Sequence, residues 1–224
     1  MILDFTVNVH ADDDAVAKAA ARYVADRARD CVGDHGVFTF AVSGGRTPWL
    51  MFAHLADEDM PWVQTRIFQV DERCAPLDDA DRNLRHLQEA LGSVPAEVVP
   101  MPVEVEDLDA AAATYASLLP ESFDLIHLGL GPDGHTASLV PGDAVLEVTD
   151  RLVAPTSSLY QGRRRMTLTY PGLARAHQFL WLVTGSEKAE PLARLLAGDA
   201  SIPAGRVTGG PSIVMADTAA KGTT

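Results

Sequence analysis

One segment of the sequence combines the residue types that acid–base catalysis needs. The apolar run at 123–130 leads into the turn GPDGHTAS, which carries Asp133 and His135. Histidine titrates near neutral pH, so an accessible imidazole at a strand end, two residues after a carboxylate, suits a general base. Asp133 would either orient that imidazole or shape the turn. The other histidines fit a buried strand position, His127, or surface and packing positions, His10, His35, His54, His86 and His177.

A second segment, FAVSGGRTPWLMF, has the composition of an anion-binding turn. An apolar strand runs into Ser43 and the glycines at 44–45, with Thr47 as the expected N-cap of a helix and Pro48 at its first position. Two glycines let the backbone turn closely around a ligand, and free N–H groups at a helix start favour an anion such as phosphate. Arg46 adds a positive charge. The pattern also fits an ordinary strand-to-helix turn, so both interpretations stay open.

A third group of polar residues follows the apolar run RIFQV at 66–70. It consists of Asp71, Glu72 and Arg73. Ligands of open α/β sheets bind outside the carboxyl ends of the strands, where these charges would lie. A solvated loop with a local ion pair is the alternative for any one of them. Together with the Gly-Gly turn, they favour a site at this edge of the sheet.

Basic residues that could reach a phosphate occur in two further places. Arg163, Arg164 and Arg165 stand in a row before MTLTYPG, and Lys188 lies in the first turn of the helix expected after LWLVTG. Three consecutive arginines cannot all point in one direction, so the sequence leaves open which of them contacts the phosphate.

Nothing in the sequence favours a resident cofactor. Gly129-x-Gly131-x-x-Gly134 matches the dinucleotide-binding pattern, but Pro132 and His135 stand where the phosphate-binding helix should begin. No acidic residue ends a strand about 20 residues later, as that pattern requires. The sequence also lacks HExxH, clustered Cys/His and EF-hand spacings. We therefore expect neither a nicotinamide cofactor nor a metal.

The elements that must position these residues alternate between strands and helices. The predicted strands are 37–42, 66–70, 123–130 and 177–183, and the predicted helices are 12–31, 48–56, 82–91, 108–118 and 186–196. This alternation is typical of crossover units on a mostly parallel sheet. Candidate edge or mixed strands lie at 151–154, 164–169 and 212–216. The predicted fold class is α/β, a mostly parallel, Rossmann-like open sheet with helices on both faces.

Composition and charge narrow the class of protein further. With 224 residues, 47% hydrophobic and 22% charged, the chain fits one globular domain over 1–224. A net charge of -13 repels a phosphate backbone, so we expect no nucleic-acid partner. The absence of a signal-like start and of an apolar run near 20 residues predicts a cytoplasmic protein with no membrane contact. Cys31 and Cys74 fit reduced thiols.

The blocks SGGRTP, DERCAP, GLGPDGHTASLVPG, RMTLT and TGSEKAEPL, in this order, resemble the signature blocks of the 6-phosphogluconolactonase family over nearly the whole chain. SGG-x-TP is shared with glucosamine-6-phosphate deaminases and ribose-5-phosphate isomerase-like folds, whereas GPDGHTASL is the most specific block. By position, the resemblance implies that His135 is the catalytic base and that Arg165 and Lys188 hold a phosphate. We group Asp133, Asp71 and Arg73 with the catalytic residues, and we assign Ser43, Gly44, Gly45, Arg46, Asn83 and Gly134 to substrate binding. The resemblance also implies a monomer.

The sequence departs from the family pattern in two places. Arg82 precedes Asn83 where a serine is usual, and the stretch before Arg165 lacks the usual Ser-Pro-Lys-Pro-Pro. The related deaminases carry a carboxylate just before the proline of the His block, where this chain has Val140. Hydrolysis of an activated ester needs only a water, a base and oxyanion stabilisation. The resemblance thus implies cofactor-free hydrolysis of 6-phospho-D-glucono-1,5-lactone. A glucosamine-6-phosphate deaminase or sugar-phosphate isomerase, and a non-catalytic sugar-phosphate sensor, are the alternatives.

Overall fold

Ten strands and seven α-helices make up the part of the chain, residues 4–222, that the computed structural model describes. The strands are β1 (Phe5–His10), β2 (Phe38–Val42), β3 (Thr65–Gln69), β4 (Asp71–Arg73), β5 (Glu97–Val99), β6 (Leu125–Gly129), β7 (Val153–Pro155), β8 (Arg165–Leu168), β9 (Phe179–Val183) and β10 (Ser212–Asp217). The helices are α1 (Asp13–His35), α2 (Arg46–Ala56), α3 (Asn83–Leu91), α4 (Leu108–Leu118), α5 (Tyr170–Leu173), α6 (Ala189–Leu196) and α7 (Thr218–Lys221).

The central sheet has seven strands in the order β1-β10-β9-β6-β2-β3-β5, and every neighbouring pair in it is parallel. The predicted α/β class with a mostly parallel sheet is confirmed. The segment expected as an edge or mixed piece at 212–216 is β10, an inner strand of this sheet. Sequence reasoning missed the two edge strands, β1 and β5. Strand β1 alternates in burial and β5 has only three residues, so neither forms a long apolar run.

Different elements cover the two faces of the central sheet. Neighbouring residues of a strand point to opposite faces. In β9, Leu180 belongs to the core beneath α1, α2 and α3, whereas Trp181 belongs to the core that contains residues of α4 and α6. Both side chains are fully buried. This alternation places helices on both faces, as the sequence predicts.

A second, three-stranded antiparallel sheet has the order β4-β8-β7. The Asp71–Arg73 segment, for which a solvated loop was the alternative interpretation, forms strand β4. It pairs with β8 in a register that sets Asp71 opposite Thr167 and Arg73 opposite Arg165. Residues directly opposite each other project to the same face of a sheet. The small sheet therefore brings the two arginines side by side.

The helix ends show where local signals were misjudged. Helix α1 starts as expected, with the Asp12 side chain accepting a hydrogen bond from the Ala15 N–H, but it passes Gly33 and ends at Gly36, whose φ is +85°. Helix α2 has Gly45 as its N-cap, two residues before the predicted Thr47. No helix among residues 4–222 is both long enough and apolar enough to cross a bilayer.

Candidate active site

A cavity of about 810 Å³ lies where the carboxyl ends of β2, β6 and β9 face the small sheet. All of the expected site residues line it except Asp133 and Gly134. Those in the wall are Ser43, Gly44, Gly45, Arg46, Asp71, Arg73, Asn83, His135, Arg165 and Lys188. Sequence reasoning had placed them on separate strand ends and loops, and the sheet topology brings them together.

The imidazole of His135 is held by Asp133. Its Nδ1 lies 2.5 Å from Asp133 Oδ1, and the His135 backbone N–H donates to the same oxygen at 3.2 Å. Burial would raise the pKa of Asp133, but the hydrogen bond and charge of His135 prevail and lower it. An ionised carboxylate on Nδ1 holds a proton on that nitrogen and leaves Nε2 as the acceptor. The arrangement can accept a proton from a water in the cavity.

The turn that carries this pair depends on Gly134. Its φ is +80°, and a β-carbon built on it would stand 2.6 Å from Cβ of Ile202. Its N–H donates to Gly131 O at 3.0 Å, while its carbonyl accepts from the Ala204 N–H at 3.0 Å. Gly134, expected to bind substrate, packs against Ile202 and shapes the turn.

Among the three consecutive arginines, the cavity is lined by Arg165. Arg163 is bound to Asp79 at 2.7 Å and Asp81 at 3.1 Å, and Arg164 donates to the Thr156 carbonyl. Arg165 is only 5% exposed, and burial lowers the pKa of its guanidinium while Asp71, 3.9 Å away, opposes this shift. Of the three arginines, Arg165 is therefore the candidate for contact with a ligand in the cavity.

Asn83 joins the strand β4 to the glycine turn after β2. Its Nδ2 donates to the Asp71 carbonyl at 3.0 Å, and its Oδ1 accepts from the Arg73 guanidinium. A β-carbon built on Gly44 would stand 2.0 Å from that Oδ1, so only glycine fits there. Asp71 in turn accepts from Ser138 Oγ at 2.6 Å. These contacts fix Arg73 and Asp71 on one wall of the cavity.

Glu72 has a structural role that the sequence pattern did not reveal. It is completely buried, and its carboxylate accepts hydrogen bonds from the backbone N–H groups of Asn83 and Leu84 at 2.8 Å. Arg82, 2% exposed, approaches the same carboxylate at 3.2 Å. The arginine that stands where the family usually has a serine therefore pairs with Glu72 beneath the start of α3.

The two remaining cations of the wall, Arg46 and Lys188, differ in exposure and in their ion pairs. Arg46 is largely exposed at the mouth of the cavity, and its charge is paired with that of Asp13 at 2.6 Å. Lys188 is more enclosed, lies 3.9 Å from Glu187, and has its pKa lowered chiefly by burial. The start of α2 lacks a side-chain cap, which leaves its first N–H groups available to an anion. The Thr47 hydroxyl meets Thr184 Oγ1 at 2.7 Å instead.

His127, interpreted as a core histidine, lies beneath the glycine turn. It is fully buried, and burial lowers its pKa to about 3, so the ring is neutral. Its Nδ1 accepts from the Ser43 N–H at 3.3 Å. Its Nε2 has no hydrogen-bond partner within residues 4–222. The ring supports the start of the turn from below.

A group of metal-ligating side chains lies away from the cavity, near the amino ends of β2 and β6. Donor atoms of Cys31, His35 and Asp124 lie within 4.8 Å of one another. The Asp124 carboxylate already binds the Thr39 N–H at 2.8 Å and His35 at 3.0 Å. Burial raises the pKa of Cys31 to about 11, and the Arg27 guanidinium donates to its sulfur at 3.6 Å. A protonated thiol beside a cation is a poor metal ligand.

Tyr160 and Gln161 are among the wall residues that were not expected from the sequence. They follow Leu159 in the stretch that departs from the family pattern, and no residue-type signal marks them as functional. Gly131, which the sequence marks only as part of the dinucleotide-binding pattern, also lines the wall.

The chain is similar to known proteins in both sequence and fold. The family model for glucosamine-6-phosphate isomerases/6-phosphogluconolactonase matches residues 11–215. The chain is 37% identical over 191 residues to a 6-phosphogluconolactonase of Synechocystis, covering 79% of each chain. It is 32% identical over 226 residues to one of Mycobacterium tuberculosis, covering 91% of this chain and 92% of that one. The solved 6-phosphogluconolactonase of Thermotoga maritima superposes with a TM-score of 0.86 at 27% identity, covering 96% of this chain and all of the other.

Proposed function

The chain belongs to the family of glucosamine-6-phosphate isomerases and 6-phosphogluconolactonases, and from this membership we propose that it hydrolyses 6-phospho-D-glucono-1,5-lactone to 6-phospho-D-gluconate. This is the lactonase step of the oxidative pentose phosphate pathway. The observation that carries the proposal is the Asp133–His135 pair, which presents a base in the same cavity as Arg165 and Lys188.

His135 acts as the general base in this proposal. Its Nε2 takes a proton from a water whose oxygen attacks the lactone carbonyl at C1. The tetrahedral oxyanion that forms is stabilised by donors of the glycine turn or by Arg73. The C1–O5 bond then breaks, O5 takes the proton from the imidazolium, and the acid product ionises. Asp133 keeps the imidazole in the required orientation throughout.

The phosphate anchors the substrate away from the reacting carbon. Arg165 and Lys188 supply the positive charge, and the open start of α2 supplies backbone donors. Binding energy from a non-reacting group can position the lactone for attack. Local charge of this kind also lets a chain of net charge -13 accept an anionic substrate.

Val140 favours lactone hydrolysis over amino-sugar chemistry. Deaminase-like sequences have a carboxylate at this position, which would assist ring opening and proton relay. Val140 provides no such group, whereas the hydrolysis needs only the base and the oxyanion donors. We further propose that the chain acts as a single domain, as a monomer and in the cytoplasm, with no organic cofactor or metal.

The direct test couples hydrolysis of freshly generated 6-phosphogluconolactone to 6-phosphogluconate dehydrogenase. An enzyme-free blank measures the spontaneous reaction. We expect a wild-type rate well above the blank and a loss of about 100-fold or more in a His135→Ala variant, with the exposed His177→Ala as a matched control that keeps full activity. A wild-type rate equal to the blank would exclude the lactonase. Ammonia release from glucosamine 6-phosphate would then indicate the deaminase.

A further inference from the structure

Tyr160 stands between the base and a phosphate-binding cation. Its ring centroid lies 5.1 Å from that of His135, at an interplanar angle of 66°. The Cζ atom of Arg165 lies over the same ring, 5.0 Å from its centroid. One aromatic side chain thus touches the group that takes the proton and the group that holds the substrate.

The guanidinium of Arg165 has few other partners. Its Nη2 donates to Gln161 Oε1 at 3.0 Å, and its Nη1 lies 3.9 Å from Asp71 Oδ2. Its buried Nε has no hydrogen-bond partner in the described part of the chain. A buried cation this weakly paired is stabilised by an aromatic face. Because Nε is itself shielded, the unbonded N–H groups of Nη1 are the ones that can bond an anion in the cavity.

The ring, and not the hydroxyl, contributes most to this arrangement. The Tyr160 hydroxyl lies 3.4 Å from His135 Nδ1, a long contact. That nitrogen is already bound to Asp133 at 2.5 Å. Edge-to-face packing and the cation–π contact depend on the aromatic ring alone.

A tight turn fixes the ring in place. Tyr160 and Arg163 exchange backbone hydrogen bonds at 3.0 and 3.3 Å, and the two residues between them, Gln161 and Gly162, have φ of +52° and +79°. Positive φ at both central positions defines a type I′ hairpin turn, a rigid connection between antiparallel segments. Arg163 anchors the turn further through Asp79.

We propose that Tyr160 is a positioning residue, whose ring holds Arg165 toward the substrate phosphate and braces the imidazole of His135. This assignment rests on the proposed lactonase function. It explains how a stretch that lacks the usual family pattern still presents its arginine to the cavity. Because the ring contacts both groups, its removal changes substrate binding and turnover together.

The test compares Tyr160→Leu, which removes the ring, with Tyr160→Phe, which removes only the hydroxyl. We expect Tyr160→Leu to raise KM for the phosphorylated lactone by about 30-fold and to lower kcat by about 10-fold. In Tyr160→Phe, both KM and kcat should stay within about threefold of the wild-type values. In Leu159→Ala, which changes the neighbouring exposed residue, both should stay within about twofold. If Tyr160→Leu fails to fold, Tyr160→Met replaces it.

Two results would overturn the assignment. One is wild-type KM and kcat in Tyr160→Leu. The other is a change of KM and kcat in Tyr160→Phe as large as in Tyr160→Leu, which would show that the hydroxyl acts instead. Calorimetric titration with 6-phosphogluconate provides a readout that does not need turnover. Weaker product binding in Tyr160→Leu than in Tyr160→Phe would support the positioning role even if the wild type failed to hydrolyse the lactone.

Discussion

The imidazole of His135 lies directly against the backbone of Gly131. A β-carbon built on Gly131 would stand 2.0 Å from Nδ1 and 2.2 Å from Cε1 of that ring. Real β-carbons do not approach other atoms so closely. Glycine at position 131 is therefore what allows the ring to lie where Asp133 can bind it.

Gly131→Ala tests this relationship. The added methyl group displaces the imidazole, and a shift of about 1 Å in a catalytic group can cost about 100-fold in rate. We expect kcat in the coupled lactonase assay to fall by about 10- to 100-fold while circular dichroism stays unchanged. Gly33→Ala is the matched control, since its new methyl group meets nothing within 4 Å. Full activity in Gly131→Ala would refute the steric argument.

Lys188→Ala tests the phosphate anchor. Removing one enclosed cation weakens binding of the phosphate but leaves the lactone ring contacts intact. KM for 6-phosphogluconolactone should rise by about 10-fold or more. The kcat/KM for glucono-1,5-lactone, which has no phosphate, should change much less. Comparing the two substrates decides the outcome, because equal losses for both would place Lys188 away from the phosphate.

Glu72→Ala tests the buried capping carboxylate. The variant takes from the buried Arg82 the one fully buried carboxylate that it pairs with, leaving only the half-exposed Glu104 at 3.1 Å, and it leaves two N–H groups at the start of α3 unbonded. Removing one member of a buried ion pair destabilises a fold by about 3 kcal/mol or more. Urea unfolding should show this loss, whereas Glu97→Ala, which breaks the exposed pair with Arg66, should cost less than about 1 kcal/mol. Similar losses in the two variants would contradict this role.

His127 makes stability depend on pH. The folded protein keeps this ring neutral because burial lowers its pKa to about 3, whereas an unfolded histidine titrates near 6.5. Between these values the unfolded state binds more protons, so the free energy of unfolding falls as the pH falls through this window. The loss between about pH 7 and pH 5 amounts to about 1 to 2 kcal/mol.

Urea unfolding of the wild type and His127→Gln at both pH values isolates this contribution. The variant should lose less stability on acidification than the wild type does. The exposed His177→Gln serves as the control and should follow the wild type. An identical pH dependence in all three proteins would show that the buried ring does not titrate on unfolding.

The sequence predicted the core strands and most of the segments that line the cavity, because both leave strong local signals. Long apolar runs identified β2, β6 and β9, and glycine- or charge-rich segments just after strands marked the cavity. The three-residue strand β5 left no such signal, and β4 was hidden because its charged residues resemble a loop. Pairing with β8, more than 90 residues away, determines that Asp71–Arg73 is a strand.

The parts of the site that escaped prediction depend on packing rather than on residue type. Glu72 and Asp71 are neighbouring acids in the sequence, yet one caps α3 in the interior and the other faces the cavity. Tyr160 is an ordinary aromatic residue until the hairpin turn sets it beside His135 and Arg165. Geometry of this kind follows from long-range contacts, which composition and spacing do not encode.

The register that sets Arg73 opposite Arg165 places two positive charges close together in the cavity wall. Each guanidinium repels the other, and the charge of Arg73 lowers the pKa of Arg165 in addition to the larger effect of burial. An anion between them would relieve this repulsion, and any ligand that binds only the folded state raises the melting temperature. Sugar phosphates and inorganic phosphate should therefore raise the temperature of thermal denaturation, even where no bond is broken.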